Sequence, residues 1–179
     1  MDYIYLEAEN AVKRFQTRNP YELLDAIGAE LRFSYDYEPD GLKGFSAIFN
    51  RVMFAVINGH LNEHDRRIVA GHEAAHLILH KIEIMTSPAQ ALKDFHLYDN
   101  SGRLEYQANS FLADFLVSDE ELLEAISYED SDFFVVAREL CIPPPLLAFK
   151  QNSMMRRDYK LRNPIDLQSK FLGNNTSTC

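Results

Sequence analysis

Residues 72–76 read His72-Glu73-Ala74-Ala75-His76. In a helix, positions i and i+4 lie on one face, one turn apart, so both imidazoles reach a single ion. Glu73, beside the first histidine, is rotated round the helix, close enough to hold a water on that ion without being a ligand. Zinc lowers the pKa of its water to about 7 and polarises a scissile carbonyl. A carboxylate placed like that of Glu73 takes the proton and later delivers it to the leaving amine. The chemistry offered is metal-assisted hydrolysis. Chance supplies about 0.015 such matches in a chain of this composition. The flanks, Ile68-Val69-Ala70 and Leu77-Ile78-Leu79, mark a buried helix, on which two histidines and a glutamate are costly without partners.

Catalytic zinc needs a third protein ligand and an open fourth position. A third histidine six residues past His76 is not available, because position 82 is Ile82 and the glycine of that longer pattern is replaced by Leu79. His80 lies two turns from His72, roughly 12 Å along a straight helix, too far to share the ion, and reads as a packing histidine. The best remaining candidate is Glu105, which opens Glu105-Tyr106-Gln107-Ala108-Asn109-Ser110-Phe111. Ala108, Phe111, Leu112 and Phe115 give that helix an apolar stripe to lay against the first.

The elements that must position these groups follow from hydrophobic period. Ile4, Ala8, Val12 and Phe15 share one helical face over residues 3–16. Asn19-Pro20, with Glu22 two residues on, reads as an N-cap and helix start, and Gly28 as the stop. The period then changes from 3.6 to 2: Leu31, Phe33, Tyr35 and Tyr37 alternate with polar residues. Pro39-Asp40-Gly41 is a turn, and residues 45–49 and 52–57 are two further short strands around Asn50-Arg51. Residues 63–81 form a long helix and 82–102 read as loop. Further helices are expected over 103–116, 119–127, 131–140 and 144–157, with a Ser118/Glu121 capping box and a break at Pro143-Pro144-Pro145. The fold class is α+β, a small antiparallel sheet of about three strands packed on a mainly helical body.

The helical segment His72-Glu73-Ala74-Ala75-His76-Leu77-Ile78-Leu79-His80, followed by Glu105-x-x-Ala108-Asn109-x-Phe111, resembles the ImmA/IrrE metallopeptidases, whose HExxH helix is paired with an ExxAN helix. The resemblance extends to Val56-Ile57-Asn58, covers about residues 20–118, and then fades. It implies a zincin-like body with His72, His76 and Glu105 on zinc, Glu73 as general base, and Asn109 either supporting a ligand or holding substrate. Ala75 stands where relatives commonly have glycine, and Phe115-Leu116-Val117-Ser118 departs from their second-helix ending; neither touches a proposed ligand. The resemblance further implies an intracellular regulatory protease that cuts a helix-turn-helix repressor, often from a phage or mobile element. On that reading a substrate strand lies along a sheet edge, residues 82–102 line the cleft, and His96 and Tyr98 are candidate oxyanion donors. The expected organisation is a peptidase core over 1–117, a helical cap over 118–162 and a flexible tail over 163–179.

Composition bounds the alternatives. The 179 residues amount to about one domain. No stretch approaches the roughly 18 apolar residues of a membrane span. The start, MDYIYLEAEN, lacks the basic region of a secretory signal. Cys141 and Cys179 read as reduced thiols in a cytoplasmic protein. A net charge of −9 argues against direct nucleic-acid binding. Residues 150–179 run against that balance, with six Lys/Arg to two Asp, a pattern expected of cations at the end of a last helix. Residues 133–149 have the helix–break–helix rhythm of a degenerate helix-turn-helix unit. A metal-stabilised regulator acting by protein contact, or less favourably by DNA contact, is therefore the alternative to a peptidase.

Overall fold

In the computed structural model, residues 3–86, 91–94, 102–127 and 132–161 are described. The chain divides into two compact units, Ala11–Leu97 and Tyr98–Cys179 together with Met1–Asn10. The first helix, α1 (Tyr3–Phe15), buries Ile4, Ala8 and Ala11. The α+β class holds, and no helix among the described residues is long and apolar enough to cross a membrane.

In the unit Ala11–Leu97, α2 (Pro20–Ala26) starts where expected: the Asn19 side chain accepts from the Tyr21 N–H at 3.0 Å, and Leu23 and Leu24 are buried. Gly28, at φ +75°, turns the chain into β1 (Ala29–Ser34). The strands β2 (Gly44–Phe49) and β3 (Val52–Asn58) form a hairpin whose two-residue turn, Asn50-Arg51, has both residues at positive φ. The sheet order is β1-β3-β2-β4, with β4 (Ala91–Asp94) antiparallel to β2.

Two features differ from the antiparallel three-strand expectation. β1 runs parallel to β3, from Ala29 opposite Met53 to Ser34 opposite Asn58. The nine-residue link from Tyr35 to Lys43 is too long for a hairpin and carries the chain past β3 to the far side, where β2 begins. Asn58 holds that link in place: its buried side-chain amide donates to the carbonyls of Glu38 and Leu42 at 2.8 and 3.0 Å, and its Oδ1 accepts from the His60 N–H. The second difference lies in the region read as loop, which contains both β4 and a short helix, α4 (Lys81–Thr86).

The helix α3 (Glu63–Leu79) packs on α2 and on β2 and β3. Asn62 caps it by accepting from the Asp65 N–H at 2.8 Å. Ten consecutive residues, Ile68 to Leu77, are buried. A helix buried all round is a core helix, and its small residues Ala70, Gly71, Ala74 and Ala75 let neighbouring backbone come close. α3 ends two residues short of the expected position, with His80 as its C-cap.

In the other unit, α5 (Arg103–Leu116), α6 (Asp119–Ala125), α7 (Phe133–Glu139) and α8 (Pro144–Met155) follow the expected order. The Ser118/Glu121 capping box is formed on both sides. α8 packs on α5 and α7, and Leu146–Gln151 are all buried. A recognition helix must offer side chains to a groove, and α8 is spent on the core instead. The C-terminal cations are also redistributed. Lys150 is buried and donates to Asp114 at 2.9 Å and Asp119 at 2.7 Å, while Arg157 pairs with Asp119 and covers the Tyr5 ring at 3.5 Å. Ser153 donates to the second oxygen of Asp114. Two cations and two carboxylates therefore neutralise one another inside this unit, where helix-end cations were expected.

Burial alone raises the Asp119 carboxyl, but hydrogen bonds and charges from Arg157 and Lys150 outweigh it and hold Asp119 at about 2. At Asp114 burial is the larger influence and pushes the carboxyl up, against Lys150 and Ser153. A depressed carboxylate adds stability that is present above the ordinary range near 4 and lost as pH falls through the folded value. Asp119→Asn therefore lowers the unfolding free energy at pH 6 by about 2 kcal/mol in urea titrations, and its gap from wild type shrinks as pH drops from about 4 to 2.

Candidate metal centre

The middle of α3 carries the site. His72, Glu73 and His76 are fully buried. Nε2 of His72 lies 3.1 Å from Nε2 of His76, with ring centroids 4.7 Å apart. Two nitrogens bound tetrahedrally at about 2.0–2.1 Å stand roughly 3.3 Å apart, so the pair is spaced as two ligands of one ion. Glu105 is the third residue of α5, which begins after Gly102, and is half-buried. Two imidazole nitrogens so spaced belong to the donor sets of zinc hydrolase sites, which keep one position open for water. His72 and His76 fit the metal that their spacing in the sequence implies.

Glu73 is set by the sheet beneath α3. A Cβ added to Gly44 would stand 2.8 Å from the Glu73 carboxylate, 2.6 Å from Val69 Cγ1 and 3.2 Å from the Val56 carbonyl oxygen. The missing side chain at the start of β2 is thus what makes room for the carboxylate. Sequence reading began that strand at Phe45 and missed the contribution of Gly44. A glycine inside a strand commonly marks such a close approach, and that signal was available.

His80, read as a packing histidine, is buried. Its Nδ1 lies 2.9 Å from Nδ1 of His76. Asn109 is fully buried one helical turn beyond Glu105. His96 and Tyr98 lie outside the described residues.

The family model for peptidase M78, the IrrE N-terminal-like domain, matches residues 28–150, well over half of the chain. The chain belongs to this IrrE-like family. The family is one of metallopeptidases, in keeping with the ligand-spaced histidines of α3. Among curated proteins, the chain is similar to "Uncharacterized immunity region protein 2" of Bacillus phage phi105, at 29 % identity over 112 residues. That alignment takes in 62 % of this chain and 66 % of the phage protein, so just under two thirds of the relative is spanned. No solved structure matches. The match runs through α3 and α5 to the middle of α8, further than the resemblance visible in the motifs alone.

Gly44 supplies a direct test of how this IrrE-like chain positions its carboxylate. Gly44→Ala forces both Val69 and Glu73 to move and costs about 1–3 kcal/mol of stability, measured by urea denaturation. In a crystal structure of the variant, the Glu73 carboxylate is displaced from its wild-type position while the His72 and His76 rings stay in place.

Proposed function

We propose that this protein is a zinc-dependent endopeptidase with a regulatory role, cleaving a helix-turn-helix transcriptional repressor. The single observation that supports this best is the pairing of ligand-spaced imidazoles with a buried glutamate on one helix, His72, Glu73 and His76, in a member of a metallopeptidase family.

His72, His76 and Glu105 would hold the metal, which when bound supplies an acidified water and a polarised carbonyl. Glu73 is the general base. Its carboxylate accepts the proton of the attacking water and returns it to the amine that leaves, so the side chain ends as it began. The burial of α3 keeps bulk water away from this carboxylate and strengthens its electrostatic influence. Asn109, one turn from Glu105, is assigned a supporting or substrate-holding role, and His96 and Tyr98 stay candidates for stabilising the oxyanion. Residues 118–162 are assigned as a helical cap on a peptidase core.

The substrate reading draws on the relative named as an immunity region protein of a phage. A protein of such a region suits a regulatory rather than a digestive peptidase, and a repressor is the partner we assign. The place of action we assign is the cytoplasm.

The test is N-terminal mapping of the proteome in cells expressing wild type or Glu73→Gln. Wild type is expected to create one or a few new N-termini, the parent being a helix-turn-helix repressor. Their yield should fall at least about 100-fold with Glu73→Gln. Equal yields would sink the catalytic reading and leave a regulator that acts by contact. Cleavage of many unrelated proteins would instead point to a degradative enzyme.

A further inference from the structure

The described part of the chain holds three buried histidines on α3 and its cap, and the proposed metal chemistry uses two. We propose that the third, His80, is a positioning residue that holds His76 in the form that binds metal. This rests on the reading of His72, His76 and Glu105 as zinc ligands.

The two rings face each other through like atoms. Nδ1 of His76 and Nδ1 of His80 are 2.9 Å apart, with ring centroids at 5.0 Å and planes inclined by 52°. A nitrogen–nitrogen hydrogen bond contains one proton, so only one of these atoms carries it. If His80 carries it, Nδ1 of His76 is the acceptor and the proton of neutral His76 sits on Nε2, which blocks that atom as a ligand. If His76 carries it, Nδ1–H donates to His80 and Nε2 presents its lone pair on the side facing Nε2 of His72. Metal-ligating histidines donate their other ring N–H to a fixed acceptor, and that acceptor sets tautomer and ring orientation. His80 fills this place with a neutral imidazole in the tautomer that leaves its own Nδ1 unprotonated.

The backbone explains why His80 can be held so firmly. It is the C-cap of α3, and its N–H donates to the His76 carbonyl at 2.8 Å. Its own carbonyl accepts from the Ile84 N–H of α4 at 3.0 Å. His80 is thus pinned at the joint between two helices, with main chain and ring both tied to His76. At 2 % exposure, it leaves little room for water to take over as the acceptor. The i+4 step that pairs His72 with His76 is used a second time, now to hold a ligand instead of a metal.

The test compares zinc affinity, by chelator competition, in wild type, His80→Leu and His80→Gln. The glutamine oxygen can accept from Nδ1–H and leucine cannot. Leucine is expected to weaken zinc binding about 10–100-fold, and glutamine to stay within roughly threefold of wild type. In zinc-loaded, 15N-labelled wild type, a coupling between Nδ1 of His76 and Nδ1 of His80 through the hydrogen bond is expected. A folded leucine variant that binds zinc as tightly as wild type overturns the proposal, and so does the absence of that coupling. If the leucine variant does not fold, the coupling decides. Wild type that binds no zinc removes the metal reading and this proposal with it, whereas normal wild-type binding with no effect of leucine removes only the role of His80.

Discussion

Burying two imidazoles and a carboxylate in the middle of a core helix costs several kcal/mol unless each finds a partner. Much of the unit that contains α3 is arranged around that constraint. Helix α3 is buried along ten consecutive residues, and His72, Glu73 and His76 all lie within that run. β2 begins with a glycine where any side chain would meet Glu73. The helix stops at the residue whose ring meets His76. The small residues between the histidines keep the helix thin enough for strands to approach it. These are local sacrifices of packing and helix length, made where a polar site is to be kept dry and ordered.

The other unit solves a related problem by opposite means. Lys150, Asp114, Asp119 and Arg157 are also charged and largely enclosed, but each is matched by an opposite charge at hydrogen-bond distance. Such a network fixes how α5, α6 and α8 pack and offers no open position to a ligand. It is a structural device. The contrast with α3 is chemical: imidazoles and a carboxylate spaced for one ion stand on one helix, and a closed set of ion pairs stands on the others.

How much of this was legible in the sequence depended on the range of the signal. Asn19, Ser118 and the HExxH spacing act within a helical turn, and the corresponding caps and histidine pair are found where the residues put them. The spacing of Glu105 and Asn109 likewise places them one turn apart on one face of α5. Sheet order was not legible, because parallel pairing of β1 with β3 is decided by a long link and by the buried amide of Asn58, not by any strand's own period. β4 is four residues long, too short to show an alternation. The charge excess at 150–179 misled for a similar reason. Sequence counts charges along the chain, whereas Lys150 and Arg157 are cancelled by carboxylates more than thirty positions away. Distance along the helix is what separates His80 from His72 in the sequence. The tie of His80 to His76 depends on where α3 ends, which hydrophobic period does not reveal.

The proposed assignment of His72, His76 and Glu105 as zinc ligands is open to elemental analysis of purified wild type and Glu105→Ala for zinc per chain. Close to one zinc per wild-type chain and clear loss in the variant are expected, with both proteins folded by circular dichroism. Wild type that takes up no zinc after reconstitution, or a folded Glu105→Ala that retains it fully, would overturn the assignment.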